Sequence, residues 1–320
     1  MIKVHEDHIK LAIPFRISRG VKTQADVITV EITRAGHVGR GEAVPYARYG
    51  ETLDGVMDAI RTLPEDVTRE KLQTLLPAGA ARNAVDCALW DFAAKSTGNR
   101  VWTLLDQPAP APAITAFTLS LNTPEEMERQ AQIHAHRPLL KIKLGGEDDI
   151  KRLEAVRRGA PKSDIIIDAN EGWTPDLYRA IAPHLVGLGV SLVEQPLPAD
   201  TDEMLAELDR VLPVCADESC HTTADLEGLR GKYDVVNIKL DKTGGLSEAI
   251  LLKKAATKMG FGVMVGCMVG SSLAMAPVTL LTEGAAYVDL DGPLLLSEDR
   301  SHPLNYDAQG VHPPDARLWG

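Results

Sequence analysis

The sequence predicts an α/β protein in which a modified TIM-type (β/α)7β barrel follows an N-terminal α+β capping domain. From residue 114 onward, apolar strands alternate with helices about every 25 residues, the length of one strand plus one crossover helix. Before this region the strands come first and the helices follow, as in α+β domains. The proline-rich run 108–112 is predicted to be a stiff connector. The expected units are a capping domain at 1–107, a barrel at 112–297 and a tail at 298–320 that packs back toward the cap.

The composition is typical of a globular protein and excludes some classes of partner. Of 320 residues, 44% are hydrophobic and 25% are charged. The net charge of −11 argues against a nucleic-acid or anionic-membrane partner, because such partners require clustered Lys and Arg. The four cysteines form no C-x-x-C pair, so we expect reduced thiols and a cytoplasmic location. Residues 1–7 are charged and no apolar segment follows them, which predicts that no signal peptide is present.

The uncharged stretch 259–282 is long enough to suggest a membrane span. However, several glycines, Ser271-Ser272 and Pro277 interrupt it. We therefore predict a buried strand at 262–266, a loop, and a buried helix at 273–281, and no membrane partner.

The capping domain is predicted to start with a small antiparallel sheet. Two strands are expected at 3–13 and 26–33, and Ala35-Gly36 turns the chain into a third at 38–43. The basic segment 16–22 is expected to be a loop. Three helices follow; the first two start near threonines suited to N-capping, and the third has apolar residues at helical spacing. These helices are predicted at 52–63, 68–76 and 80–96.

The region from residue 114 onward contains eight predicted strands, and eight strands alternating with helices favour closure into a barrel. The predicted strands are 113–121, 139–144, 165–168, 191–195, 214–217, 235–240, 262–267 and 287–290. The predicted helices are 124–136, 148–158, 175–185, 202–211, 224–231, 246–259 and 273–281.

Charged residues mark the ends of consecutive barrel strands. Lys141 and Lys143 share one face of the second strand, and a buried lysine pair is costly unless anions face it. Asp168, Glu194 and Asp217 end the next three strands, and the carboxyl ends of barrel strands meet at one face. A single strand-end Asp is more often a cap or turn residue. Three acids with no His or Cys among them instead predict a Mg²⁺ site, one ion per subunit.

A further lysine, Lys239, ends the sixth strand, opposite the second strand in an eight-stranded barrel. A lone strand-end lysine is usually a surface residue, but Lys143 and Lys239 bracket the acids. Removing a proton α to a carboxylate requires charge neutralisation, which a Lewis-acidic metal and an ammonium such as Lys141 provide. A lysine base needs a lowered pKa, and a nearby ammonium and a metal lower it. One base on each face predicts a 1,1-proton transfer, a racemisation or epimerisation.

These residues lie in motifs that resemble the enolase superfamily, muconate-lactonising subgroup, over essentially the whole chain. The motifs are Lys141-x-Lys143, Asp168-Ala169-Asn170, Glu194-Gln195-Pro196, Asp217-Glu218-Ser219 and Asn237-Ile238-Lys239. Further segments resemble the L-Ala-D/L-Glu (dipeptide) epimerases: Asp289-Leu290-Asp291, Gly266-Cys267-Met268, Pro77-Ala78-Gly79-Ala80-Ala81-Arg82-Asn83 and Lys239-Leu240-Asp241-Lys242-Thr243-Gly244-Gly245.

The resemblance implies Mg²⁺-dependent epimerisation of a small dipeptide through a metal-stabilised enolate, in the turnover of cell-wall peptide. Lys143 and Lys239 are then expected to exchange the α-proton, and Asp289 and Asp291 to hold the substrate ammonium group. The other implied substrate contacts are Thr118, Lys141, Cys267, Met268 and, for the glutamate side chain, Arg19.

Several alternatives stay open at this point. Arg16 and Lys22 compete with Arg19, and all three also fit a solvated basic loop. The Asp289/Asp291 pair also fits an acidic turn. Asp241 shares a strand face with Lys239, and a pair between them would raise the lysine pKa.

The resemblance is not complete, because Val269-Gly270-Ser271-Ser272 replaces the acidic residue that some dipeptide epimerases carry after the strand-seven Met. The rival functions are an o-succinylbenzoate synthase or cycloisomerase on the same scaffold, and a non-catalytic metal-binding barrel. The exact dipeptide stays open, as does the choice between a monomer and a homo-oligomer.

Overall fold

The computed structural model describes all 320 residues. The N-terminal part is a three-stranded antiparallel sheet in the order β1 (Ile2–Ile17), β2 (Gly20–Arg34), β3 (His37–Ala43). The helices of this part are α1 (Leu53–Arg61), α2 (Arg69–Leu75), α3 (Ala80–Thr97) and α4 (Val101–Leu104). Thr52 and Thr68 each accept a hydrogen bond from a backbone N–H of the following helix, so the predicted N-caps are confirmed.

The predicted loop at 16–22 is wrong. The β1–β2 ladder resumes after an irregularity between Lys10 and Phe15 and continues until Ile17 pairs with Gly20. Only Ser18 and Arg19 form the turn, which Gly20 permits by adopting a φ of +150°. The basic residues of this segment therefore lie on a hairpin tip, which fixes where each side chain points.

Eight parallel strands form the second sheet, and each pairs with its neighbours in chain order. They are β4 (Phe117–Leu119), β5 (Leu139–Lys143), β6 (Asp164–Asp168), β7 (Val190–Glu194), β8 (Val214–Ala216), β9 (Val235–Ile238), β10 (Gly262–Val265) and β11 (Tyr287–Val288). The Ala116 N–H donates to the Val288 carbonyl at 2.8 Å and so joins the last strand to the first. The predicted barrel with a capping domain is confirmed.

Helices cover the outside of the sheet. They are α5 (Pro124–Ile133), α6 (Asp149–Gly159), α7 (Pro175–Gly187), α8 (Leu226–Leu229), α9 (Leu240–Thr243), α10 (Leu246–Lys258) and α11 (Ser272–Met275). The predicted helix at 202–211 is reduced to the 3-10 turn Glu203–Ala206, because Asp202 instead binds Ser219 and Tyr233 in a buried polar network. Beyond α11 the chain continues as a 3-10 helix, Ala276–Leu281, with Pro277 in its first turn. None of the helices combines the length and the apolar character needed to cross a bilayer.

Apolar side chains fill the barrel beneath the carboxyl ends of its strands. The interior cluster consists of Ala116, Leu139, Ile166, Leu192, Cys215, Val235 and Met264. A larger cluster lies between the sheet and its helices, and a third lies under the cap helices. The interior is thus a packed floor, and polar chemistry is confined to the mouth above it.

The C-terminal segment contacts the N-terminal part. The Trp319 indole donates to the Cys87 carbonyl at 3.0 Å, and the Gly320 N–H donates to Asp91 at 2.7 Å. Arg300 forms ion pairs with Asp7 and Glu42, both at 2.8 Å. The domain boundaries given above stay a prediction.

A buried acid joins the cap to the barrel. The Asp86 carboxylate on α3 accepts hydrogen bonds from the Ser247 N–H at 2.9 Å and from its hydroxyl at 2.6 Å. Burial raises the pKa of Asp86 from 3.8 to about 6, against the lowering effect of the Ser247 hydrogen bonds. The folded protein therefore binds a proton in this window that the unfolded chain releases.

We predict that the free energy of unfolding contains an Asp86 contribution that is present at low pH and is lost as pH rises from about 4 to about 6. Its slope is about 1.4 kcal/mol per pH unit. Denaturant titration of Asp86→Asn across this range should lack that slope, whereas Glu154→Gln, at an exposed position of α6, should keep it. Parallel profiles for Asp86→Asn and the unsubstituted protein would contradict the assignment.

Candidate active site

Three acids meet at the mouth of the barrel. Asp168 and Glu194 end β6 and β7, Asp217 follows β8, and all three are at most 2% exposed. One carboxylate oxygen from each lies within 4.8 Å of the other two. The parallel register places them side by side, since Asp168 pairs with Glu194 along the sheet. The structure thus brings the three predicted metal ligands together.

Each acid is held through one oxygen and directs the other inward. Asp168 Oδ1 accepts from the Asn170 N–H at 2.8 Å, Glu194 Oε1 from Asn237 Nδ2 at 2.7 Å, and Asp217 Oδ1 from Lys242 Nζ at 2.7 Å. Such neighbours orient metal ligands. Asn237 and Lys242 lie in the motifs named above, but their contacts with the acids were not predicted; a polar Asn in the otherwise apolar strand Val235–Ile238 was the available signal.

The donor set fits a hard divalent cation. Glu194 Oε2 is buried and accepts no hydrogen bond; Lys141 Nζ lies 2.6 Å away as an ion-pair partner, outside hydrogen-bond geometry. The single Lys141 ammonium is shared among Glu194, Asp289 and Asp168, so a further cation at the triad would lower the cost of burying these carboxylates. Three carboxylates with no nitrogen or sulfur ligand match the preference of Mg²⁺.

Three lysines face these acids. Lys143 Nζ lies 2.6 Å from Asp168 Oδ2, and Lys239 Nζ lies 2.6 Å from Asp217 Oδ2. Lys141 Nζ contacts Glu194 at 2.6 Å, Asp289 at 2.8 Å and Asp168 at 3.2 Å. The lysines and acids predicted at the strand ends therefore form one buried network.

The electrostatic effect on the lysines differs from the expected lowering of their pKa. Burial by itself would lower the pKa of Lys141, but the carboxylates of Asp289, Glu194 and Asp168 outweigh it and hold the pKa well above its ordinary value. For Lys239, burial is likewise outweighed, chiefly by Asp217 and then by Glu194, and the pKa is raised. The chain's own acids thus favour the ammonium form of both side chains.

Asp241 does not pair with Lys239, so that expectation is wrong. Asp241 Oδ1 accepts from the Val44 N–H at 2.9 Å and from Asn83 Nδ2 at 2.8 Å, both in the cap. The strand ends at Ile238 and the chain turns into α9, so the alternation that placed both side chains on one face no longer applies.

The acids after β11 lie across the mouth from the triad. Asp291 Oδ2 accepts from the Thr118 N–H at 2.6 Å, and Asp289 Oδ2 pairs with Lys141. Burial, followed by the charge of Asp289, raises the pKa of Asp291 to about 6. Asp289 Oδ1 is buried and has no hydrogen-bond donor. The Asp289/Asp291 pair therefore contains a buried acceptor oxygen that is suited to binding a cationic group of a ligand.

A cavity of about 500 Å³ joins these groups, within the size range of small-ligand sites. Its walls include every predicted catalytic and substrate-binding residue: Arg19, Thr118, Lys141, Lys143, Lys239, Cys267, Met268, Asp289 and Asp291. Among the metal ligands, Asp217 also reaches the cavity wall. Arg16 lies outside it, and its backbone N–H is bonded to Ser120 Oγ.

The two remaining basic residues of the hairpin tip differ in their partners. Arg19 donates to Glu218 at 2.7 Å, to the Asn170 carbonyl at 2.7 Å, to Tyr46 at 2.9 Å and to Glu171 at 3.1 Å. Lys22 lines the same cavity and makes no ion pair; its Nζ lies 5.3 Å from the Tyr46 ring centroid. Although the Lys22 side chain is exposed at the cavity mouth, partial desolvation by the surrounding protein lowers its pKa.

Comparison with known proteins agrees with this geometry. Residues 1–106 match the mandelate racemase / muconate lactonizing enzyme N-terminal domain, and residues 125–317 match the enolase C-terminal domain-like family. The chain is 47% identical over 300 residues to an N-acetyl-D-glutamate racemase from Pseudoalteromonas sp, covering 92% of this chain and 95% of that one. It is 42% identical over 317 residues to the L-Ala-D/L-Glu epimerase of Escherichia coli (strain K12), covering 97% and 99%.

Solved structures are similar over the full chain. An enolase family member from Agrobacterium tumefaciens with homology to dipeptide epimerases, bound to sodium and L-Ala-L-Glu with an ordered loop, has 50% identity and a TM-score of 0.97, covering 100% of this chain and 99% of that one. A dipeptide epimerase from Methylococcus capsulatus, complexed with Mg and L-Arg-D-Lys, has 30% identity and a TM-score of 0.89, covering 98% and 97%. These similarities confirm the predicted superfamily.

We predict that Mg²⁺ raises the melting temperature of the protein through the acid triad. Ligand binding to the folded state stabilises it by about 2.7 kcal/mol at a hundredfold excess over Kd. Glu194→Gln, which removes the negative charge of one of the three acids, should lose most of the Mg²⁺-dependent shift, and Glu154→Gln should keep it. Thermal melts at increasing MgCl₂ measure both. An equal shift in the two variants, or no shift in the unsubstituted protein, would place the cation elsewhere.

Proposed function

Because the chain belongs to the mandelate racemase / muconate lactonizing enzyme family, we propose that it is a dipeptide epimerase acting on L-Ala-D/L-Glu. The proposed reaction inverts the α-carbon of the C-terminal residue by a 1,1-proton transfer between two lysines. The observation that carries the proposal is one cavity lined by Lys143 and Lys239, next to the acid triad and the Asp289/Asp291 pair. The strands that lead to the two lysines, β5 and β9, are four apart in a ring of eight, so they lie across the barrel from each other.

In the proposed reaction the substrate carboxylate lies toward the triad. Mg²⁺ bound to Asp168, Glu194 and Asp217 supplies Lewis-acid neutralisation of charge. Lys141, which contacts Asp289 and Glu194, is placed to stabilise as an ammonium the negative charge that develops on the substrate.

The two remaining lysines move the proton. One accepts the α-proton as a neutral amine, and the other, as an ammonium, donates a proton to the opposite face; the reverse reaction exchanges these roles. Each lysine contacts one triad acid, Lys143 with Asp168 and Lys239 with Asp217.

The acid pair favours a dipeptide over an N-acyl amino acid. The relative with 47% identity is an N-acetyl-D-glutamate racemase, and an N-acetylated substrate has no ammonium group. With an N-acetylated substrate, Asp289 Oδ1 would stay buried without a hydrogen-bond donor. The ammonium group of an N-terminal alanine would instead donate a charge-assisted hydrogen bond to it. For the same reason the site favours an epimerase over an o-succinylbenzoate synthase or a cycloisomerase.

For the glutamate side chain we propose Lys22 in place of Arg19. Arg19 already pairs with Glu218 at 2.7 Å, and recruiting it would leave that buried acid without its ion-pair partner. Glu171, by contrast, would keep Arg48. Lys22 lines the cavity without an ion pair, so binding a substrate carboxylate costs no existing contact. Arg19 is better explained as the residue that fixes the hairpin tip to the barrel mouth.

The wider role is also a proposal. A single triad supports one Mg²⁺ per subunit. Four free cysteines support the cytoplasm as the compartment. A substrate of the Ala-Glu type supports a role in the turnover of murein peptide from the cell wall.

The proposed function predicts deuterium incorporation with inversion. In D₂O with Mg²⁺, L-Ala-L-Glu should gain deuterium at the α-carbon of glutamate and yield L-Ala-D-Glu, followed by proton NMR and chiral chromatography. Lys143→Ala and Lys239→Ala should each reduce interconversion by about 10²- to 10⁴-fold, yet each should keep exchange with one epimer, and not the same one. Lys151→Ala, at an exposed lysine of α6, is the control.

Other outcomes separate the rivals. Exchange with N-acetyl-D-glutamate but with no dipeptide would indicate an N-acyl amino acid racemase. Absence of exchange with any of these compounds would favour the lyase or cycloisomerase, and Mg²⁺ binding with no turnover of any kind would favour the non-catalytic barrel.

Lys22→Met should change specificity more than overall activity. Loss of a charged hydrogen bond costs about 1.5–3 kcal/mol, so kcat/KM for L-Ala-L-Glu should fall roughly 10- to 100-fold. The value for L-Ala-L-Leu should stay unchanged or rise. Arg16→Met, outside the cavity, serves as the matched control. An unchanged ratio of the two substrates in Lys22→Met would return the role to Arg19.

A further inference from the structure

The chain segment that follows Lys239 is held by the capping domain. This segment, residues 239–245, connects β9 to α10 and is called here the Lys239 turn. Asp241 in this turn accepts hydrogen bonds from Asn83 Nδ2 on α3 at 2.8 Å and from the Val44 N–H after β3 at 2.9 Å. Asn83 and Asp241 are buried. A polar pair of this kind is stable only while both partners stay in place.

A second contact fixes the end of the same turn. Arg82, adjacent to Asn83 on α3, donates to the Thr243 carbonyl at 2.6 Å and to the Gly244 carbonyl at 3.2 Å. Gly244 has a φ of +76°, and a Cβ at this position would lie 2.3 Å from Arg82 Nε. The cap helix therefore approaches the backbone so closely that a side chain at residue 244 is excluded.

On the barrel side, Lys242 ties the turn to a metal ligand. Its ammonium donates to Asp217 Oδ1 at 2.7 Å and to the Asn237 carbonyl at 2.9 Å. Lys239 itself is anchored by one contact, its ion pair with Asp217. The position of its Cα is consequently set by a turn that is clamped between α3 and the barrel.

The other proposed base has no such connection to α3. The turn after Lys143 is held by Asp149, which accepts the N–H groups of Gly145 and Gly146, both at 2.9 Å. Trp173 in turn donates to Asp149 at 2.8 Å. These hydrogen bonds lie within the barrel.

The cap reaches the turn after Lys143 through the β1–β2 hairpin, since a Cβ at Gly145 would lie 2.6 Å from Ser18 Cβ and the Phe15 ring centroid lies 5.9 Å from Lys143 Nζ. The two lysine turns are therefore held by different parts of the cap, and α3 contacts the turn after Lys239.

We propose that Asn83 and Asp241 are positioning residues for Lys239, through which the cap helix α3 controls proton transfer on one face of the substrate only. This inference rests on the proposed function, because it assigns one face to each lysine. A misplacement of about 1 Å costs up to 10²-fold in rate when a reacting group must meet its proton in a fixed geometry. Lys143 should be insensitive to the same change.

The test measures α-proton exchange by each lysine separately. In the Lys143→Ala background, α-proton exchange in D₂O with the competent epimer of Ala-Glu reports Lys239, and in the Lys239→Ala background it reports Lys143. Adding Asn83→Ala should slow the first exchange about 10- to 100-fold and leave the second within about twofold. Should Asn83→Ala fail to fold, Asn83→Leu, which keeps a similar side-chain shape and removes the donor to Asp241, replaces it in both backgrounds.

A conservative variant and a matched control distinguish positioning of Lys239 from a general loosening of the contact between the cap and the barrel. Asp241→Asn is the conservative variant: its amide Oδ1 still accepts from Asn83 Nδ2 and from the Val44 N–H, so exchange by Lys239 should stay close to that of the background enzyme. Asp91→Asn, about two turns further along α3, perturbs the contacts of this helix with Arg40, Lys95 and Gly320, away from the Lys239 turn, and should affect neither exchange selectively.

Each result bears on one claim. Equal loss on both faces, or no loss on either, with wild-type exchange intact, overturns the positioning role and leaves the proposed function standing. No exchange by the unsubstituted enzyme overturns the proposed function and this inference with it.

Discussion

The structure depends on one constraint, the burial of several ammonium and carboxylate groups in a single cluster at the barrel mouth. Four lysines and five acids, none more than 7% exposed, meet there: Lys141, Lys143, Lys239, Lys242, Asp168, Glu194, Asp217, Asp289 and Asp291. Any one of these charges would be prohibitively costly alone. The cluster has one more acid than lysine, and two of its carboxylate oxygens, Glu194 Oε2 and Asp289 Oδ1, accept no hydrogen bond. Its charge balance therefore favours cationic ligands, a metal at one end and an ammonium at the other.

The rest of the fold holds the charged side chains of this cluster in fixed positions relative to one another. The parallel pairing sets Lys143 beside Asp168 and Asp168 beside Glu194, and the apolar interior beneath them keeps water from entering from below. From above, the cap contributes the hairpin tip with Arg19 and Lys22 and the helix that contacts the Lys239 turn. The barrel thus supplies the charges, and the cap closes the cavity over them and holds the turn that follows Lys239.

Much of this arrangement was predictable because it follows the strand period. Regular spacing of Lys143, Asp168, Glu194, Asp217 and Lys239 places them at successive strand ends, and the mouth geometry follows from the barrel. The sequence does not decide points for which a side chain's partner is remote in sequence. The choice between Arg19 and Lys22 depends on Glu171 and Glu218, which no local pattern connects to the hairpin. Similarly, Asp241 faces Asn83 instead of Lys239 because the strand ends two residues earlier than the alternation suggested. The carboxylates around Lys141 and Lys239, which come from other strands, raise the pKa of both lysines.

The most direct test of the central claim is a crystal structure of the protein with Mg²⁺ and L-Ala-L-Glu. The account predicts the ion on Asp168, Glu194 and Asp217, the alanine ammonium at Asp289 and Asp291, and the glutamate α-carbon between Lys143 Nζ and Lys239 Nζ. Each amine should lie about 3–3.5 Å from that carbon, on opposite faces. Both amines on the same face, or an ion bound away from the three acids, would contradict it.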